Sequence, residues 1–374
     1  PWCYHRPVTH GREIALLFLF SYSAFHVQSA AIVGAGFVLS EFGVGPRRGP
    51  PPPSPQGQGI PGPPQFAPGM VLRYQFDVRS LHEGNVTGAI EDPQGGDRLS
   101  VRFAAVFKLE TLPTTATAAP PASPQPQSQS QTRNCAPLNV RATIEQVSVV
   151  IGGDTFDPSI ASLQERYQQL EGFSAVFSTA KETSSASAQQ EHGAATLGDP
   201  QIEAVAKSWL RTLVFGISAP AGATAGKSWS NQQPIPAAPL DNTILRSKST
   251  YLRDEPCGGM GQRAAVKAPS LADQPCAVIL VSTTISQSGS PADRTPDHYR
   301  ARDLRTTGRW EGAIQSLAYV SLRTGWTVSV TETQSEQIDF TVSHATDNEI
   351  VLRRRGRIET QSNLLLQSVE AKVQ

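Results

Sequence analysis

An α+β fold that is mainly β, one large curved antiparallel sheet with one central amphipathic helix, is what this sequence predicts. Three observations carry that reading. After residue 69, apolar and polar residues alternate along most of the chain, as in strands with one buried and one wet face. Only residues 199–216 hold a sustained apolar stripe at helical spacing. The connections in the last third are only a few residues long, which joins antiparallel neighbours.

The 374 residues divide into four segments. Residues 1–31 read as a secretory signal peptide. Arg6, His10 and Arg12 precede an apolar run from Ile14 to Phe20, and Ser29, Ala30 and Ala31 supply small residues for cleavage. His26 and Gln28 break the apolar stretch, so no run of about 20 residues spans a bilayer. Left uncleaved, the segment would act as a membrane anchor. Residues 32–69 form a Pro/Gly-rich tether, with Pro50, Pro51, Pro52, Pro53 and Pro55 at its densest point. Residues 70–225 make a β-rich first half that includes the helix over 200–216, and residues 226–374 an antiparallel second half.

Met70, Leu72, Tyr74, Phe76 and Val78 alternate with Arg73, Gln75, Asp77 and Arg79 as the first strand. Leu99 to Leu109 repeats the pattern. A Thr/Ala/Pro/Gln/Ser tract over 113–133 lacks the apolar surface to order itself. Leu138, Val140 and Ile144 then resume the alternation, and its phase slips by one at Val147, as a β-bulge near Glu145 and Gln146 would produce. A short helix is expected over 159–170 and a strand around Phe173 to Phe177.

The helix over 200–216 has a clear start, with Asp199 placed to cap it and Pro200 at the first position. Ile202, Val205, Ala206, Trp209 and Leu213 form its apolar face, Glu203 is placed to pair with Lys207, and Gly216 ends it. Strands follow over 245–252, 277–286, 310–322, 326–333, 338–342, 350–354 and 358–366, with turns at Gly325 and Gly356. The order strand, loop, cysteine, strand occurs on both sides of the helix and hints at two related halves.

Among four cysteines, Cys257 and Cys276 bracket a Gly/Pro-rich loop between strands and are a candidate disulfide, with Cys135 left over. Lys and Arg total 32 and so do Asp and Glu, which argues against a nucleic-acid partner recognised through overall charge. Residues 221–228 fit a loose phosphate-loop pattern, but a helix precedes them and a Pro-containing stretch follows where a helix is required. Asp293, Asp297, His298 and Asp303 are interleaved with Arg294, Arg300, Arg302 and Arg305, as in a surface loop laced with ion pairs. Neither a zinc-binding helix spacing nor a Gly-x-Ser-x-Gly nucleophile elbow occurs. No cofactor or metal is expected. Arg353, Arg354, Arg355 and Arg357 read as a basic turn.

The stretches 69–76 (GMVLRYQF), 226–229 (GKSW) and 322–328 (LRTGWTV) resemble, with the signal and tether, uncharacterised exported bacterial β-rich proteins. The layout is similar to that of the lipoprotein carriers of the bacterial envelope. That resemblance implies a secreted, periplasmic or cell-envelope protein without enzymatic activity. It would bind a hydrophobic or polymeric ligand, a lipid for example, between sheet and helix. The alternative is a module that docks an envelope protein by a sheet edge, and a hydrolase without signature is third. Trp209, Trp229, Leu213, Phe76 and Tyr74 are the expected anchors of the groove or core.

Overall fold

The computed structural model describes residues 59–88, 97–112, 138–153, 158–179, 200–217, 219–234, 240–258, 272–287 and 294–371. The expected signal peptide, most of the tether, the 113–133 tract, Cys135, Asp199 and Asp293 lie outside them.

Ten strands form one antiparallel sheet. In chain order they are β1 (Met70–Gly88), β2 (Asp97–Leu112), β3 (Asn139–Gly153), β4 (Ser174–Ser178), β5 (Ser228–Pro234), β6 (Thr243–Pro256), β7 (Pro275–Gln287), β8 (Leu304–Ser321), β9 (Thr327–His344) and β10 (Ile350–Ala371). Their order in space is β4-β3-β2-β1-β10-β9-β8-β7-β6-β5. Every neighbouring pair is consecutive in the chain except β1 and β10, which run against each other from Met70–Ala371 to Gly88–Leu352. The helices are α1 (Pro158–Gln168), α2 (Pro200–Phe215) and α3 (Asp297–Arg300). Helix α2 lies in the stretch that links the two outermost strands, β4 and β5.

Local chemistry explains these elements. Glu145 is the extra residue of a bulge, since Val106 pairs with Gln146 and Phe107 with Ile144. The bulge moves Val147 and Val149 back into phase with Ile144. Gly216 ends α2 with φ 65°, the left-handed conformation that glycine adopts freely, and Lys207 Nζ lies 2.6 Å from Glu203 Oε1 one turn earlier.

Two expectations are corrected. Residues 326–333 and 338–342 belong to one strand, β9. Residues 350–354 and 358–366 are likewise parts of β10, so Arg353 to Arg357 form no turn. In both cases inward positions carry polar residues or glycine, and the apolar alternation that marks a strand is lost. The end of the stretch expected as tether packs onto the fold. Ile60 is buried, its N–H donates to Ala223 O (2.9 Å) and its carbonyl accepts from Gly222 N–H (2.8 Å). Gln65 N–H donates to Thr324 O (2.8 Å), and the Trp326 indole donates to Gln65 O (2.7 Å). Residues 60–65 therefore lie as a strap across two loops.

The inner face of the sheet carries two apolar clusters. The larger joins β1–β4, α1 and α2 to one end of β6–β10. The smaller, around Leu245, Ile285, Trp310, Phe340 and Ile358, occupies the other end of β6–β10. At the inward positions Gly84, Gly308, Gly312 and Gly356 the neighbouring strand comes within 3.0 Å of where a Cβ would stand.

Candidate functional site

The space between α2 and the sheet is filled. Trp209 packs against Phe103 at 5.3 Å, Phe76 at 5.9 Å and Phe107 at 6.4 Å between ring centroids. Tyr74 and Leu213 are buried in the same cluster, whereas Trp229, on the edge strand β5, is half-buried at its margin. Four of the five expected anchors thus meet in one core. Cys257 and Cys276 form a disulfide with Cα atoms 5.0 Å apart. Gly222 and Gly226 take positive φ in the turns before β5, so a strand follows the phosphate-loop-like stretch.

A different arrangement lies between the two apolar clusters. Here the inward positions of six strands are polar, and they align in rows across the sheet. One row runs Ser249, Val281, Ser316, Glu332, Ser362. The next runs Ser247, Thr283, Ile314, Gln334, Thr360, Ser80. The third carries Gly312, Glu336, Ile358 and His82. Glu332 is 2% exposed, Gln334 4% and Ser247 and Ser249 0%.

Some of these groups satisfy one another. Ser316 Oγ donates to Glu332 Oε2 (2.6 Å), Trp310 Nε1 donates to Glu336 Oε2 (2.6 Å), and Gln334 Nε2 donates to Glu336 Oε1. Ser80 Oγ bridges His82 Nε2 (2.9 Å) and Thr360 Oγ1 (2.7 Å). Others are buried without a hydrogen-bond partner: Glu332 Oε1, Gln334 Oε1, His82 Nδ1, Thr283 Oγ1 and the hydroxyls of Ser247 and Ser249. A buried polar group left unpaired costs roughly 1–3 kcal/mol, so this concentration is expensive as mere packing.

Burial also sets the charges. It raises the Glu332 carboxyl to about 7, which the Ser316 bond only partly offsets. Glu336 is raised to about 7 in the same way, against the smaller opposing effects of the Trp310 bond and the Arg354 charge. The His82 imidazole is lowered to about 3, first by burial and then by Arg354. Among the described residues, no three His, Cys, Asp or Glu side chains gather as metal ligands would.

The pairing of β7 with β8 ends at Ile285 and Gly312. At that end lies a cleft of about 510 Å³ lined by Ser286, Gln287, Arg294, Arg309, Glu311 and Gly312. Gly312 sits against Glu336, whose Cγ is 3.0 Å from where a Cβ would stand. A second cleft, of about 420 Å³, lies on the outer face among Arg309, Glu311, Gln337, Asp339, Arg355 and Arg357.

Sequence reasoning missed the belt. Its signal was present as Ser, Thr, Glu and Gln at every second position: 247 and 249, 332 to 336, 360 and 362. A polar period of two matches a buried polar face as well as a broken strand.

No family model and no curated protein sequence matches the chain. Among solved structures, lipovitellin, described for its lipid–protein interactions, is 13% identical over 83% of this chain and 26% of its own, with a TM-score of 0.37. The chain thus spans about a quarter of that protein's length. DynF from the dynemicin biosynthesis pathway of Micromonospora chersina is 9% identical, covering 89% of this chain and 94% of its own at a TM-score of 0.17. An outer-membrane channel from Pseudomonas putida is 8% identical, covering 81% and 97% at a TM-score of 0.17. At these scores the likenesses carry no argument.

Proposed function

We propose that the protein is an exported, non-enzymatic component of the cell envelope that holds a ligand on the inner face of its sheet. The ligand lies beside α2 in the polar belt, because aromatic rings fill the room beneath the helix. The single observation behind this reading is the set of buried, unpartnered polar atoms on β1, β6, β7 and β9. Folded proteins satisfy such atoms with water or with a bound molecule. The Cys257–Cys276 disulfide supports an oxidising compartment outside the cytosol. In this reading α2 is the central pivot between two runs of strands, β1–β4 and β5–β10, that meet at β1 and β10.

The docking of a partner by a sheet edge is less well supported. The edge strands β4 and β5 are 5 and 7 residues long, and β5 ends in Pro234. Short edges and terminal prolines discourage strand addition.

Native mass spectrometry of the protein taken from the envelope fraction tests the reading. A discrete adduct that denaturing conditions release is expected. A clean apo mass after gentle handling overturns it.

A further inference from the structure

The free valences of the belt specify a chemistry. On β9 they are both acceptors: Glu332 Oε1 and Gln334 Oε1, from side chains two residues apart on the same face. That spacing is about 7 Å between Cα atoms, close enough for both oxygens to reach one donor group. Among the described residues, Glu332 has one hydrogen bond, from Ser316, and no cationic side chain beside it. A buried carboxylate needs a proton or a positive charge. On the same inner face, two and three strands away, stand the hydroxyls of Thr283, Ser247 and Ser249, each able to donate or accept. Two strand spacings are about 10 Å, the scale of one sugar ring with its substituents. Ile314, on β8 between them, offers an apolar surface to a ring face.

Resting on the ligand-binding reading above, we infer that the belt binds a hydroxylated primary amine of sugar size. The ammonium sits between Glu332 and Gln334, and the hydroxyl groups face Thr283, Ser247 and Ser249. The ammonium supplies several N–H donors and the missing positive charge at once, which a neutral sugar cannot. The source is either a free amino sugar or the end of an amino-sugar polymer of the envelope.

Calorimetric titration of the full chain at pH 7 with glucosamine, glucose and a β-1,4-linked glucosamine tetramer tests this. Glucosamine or its tetramer should bind at least about tenfold more tightly than glucose, as a charge-assisted hydrogen bond requires. Tighter binding of the tetramer identifies a polymer end, and tighter binding of the monomer a free sugar. Glu332→Gln keeps the shape, removes the charge and should weaken the amine by about tenfold without lowering the melting temperature. Should that variant fail to fold, Ser249→Ala on β6 should weaken the same probe by about threefold. Equal binding of glucose and glucosamine, no binding of any probe, or wild-type affinity in both variants overturns the assignment. A different adduct seen by native mass spectrometry would then leave the general binding reading standing, and a clean apo mass would remove both.

Discussion

Gly84 and Gly356 face each other across β1 and β10, each occupying the space that a side chain on the other would need. A Cβ on Gly84 would lie 2.6 Å from the Cα of Gly356, and one on Gly356 would lie 2.9 Å from the Cα of Gly84. Backbone cannot move aside as a side chain can. Gly84→Ala and Gly356→Ala are each expected to destabilise by about 2–3 kcal/mol, the range of an overpacked core. Gly172, with φ 84° and nothing within 4 Å, is the control for strain without crowding. Gly172→Ala should cost only about 1 kcal/mol. Denaturant midpoints of the three variants check the ranking.

Stability should fall as pH rises from mildly acidic to mildly alkaline values. Glu332 and Glu336 are raised by burial from 4.5 to about 7, so the folded state holds their protons more tightly than the unfolded state. Their contribution is complete below 4.5 and is lost as pH climbs through about 7. The loss is on the order of 3 kcal/mol for each carboxyl. His82 acts oppositely, because its folded value is lowered from 6.5 to about 3, and its contribution fades as pH drops through that range. The unliganded protein should therefore melt several degrees higher at pH 5 than at pH 8. Glu332→Gln should flatten that difference, and an unchanged slope in the variant would contradict the burial argument.

Trp209→Ala should cost about 3–5 kcal/mol, as for a large aromatic removed from a close-packed core. The structure adds a finer expectation. The indole N–H of Trp209 is buried without a partner, so nothing polar is lost when it is replaced by a ring that lacks it. Trp209→Phe should cost clearly less than Trp209→Ala, mainly the volume difference. Urea unfolding of both variants separates the two terms, and equal losses would mean the indole nitrogen is satisfied in solution.

Reduction of Cys257–Cys276, or Cys257→Ser with Cys276→Ala, should destabilise by about 3 kcal/mol, since the bridge closes a loop between residues 19 apart. Both sulfurs are buried against the larger apolar cluster, so mild reductant should act only once the protein is partly unfolded. The thiol-titration rate in increasing urea measures this directly.

Where the sequence keeps hydrophobic and structural periods in step, the fold was legible. Tyr74 to Val78, Phe103 to Leu109, the slip at Glu145, the Trp209 face and the Gly216 stop all follow from local rules acting alone. The candidate site was not legible, for the same physical reason that makes it a candidate. Glu332, Gln334 and Glu336 point inward, and so do Arg354 and Gly356, against the usual correspondence of inward with apolar. Only register across β6 to β10, a property of five strands together, shows that Ser247, Thr283 and Gln334 share one row.

The pairing of β1 with β10 has a kinetic consequence. The sheet is continuous only through contacts between its first strand and the last strand in the chain, separated by nearly the whole fold. During synthesis β2 can join β1 and β3 can join β2, but the second flank of β1 stays open until β10 has been made. Long-range pairing of this kind is slow, because loop closure comes before its contacts reward it. Until β10 is made, the two runs β1–β4 and β5–β9 have no strand to join them, and the sheet closes only when synthesis of the fold is nearly complete.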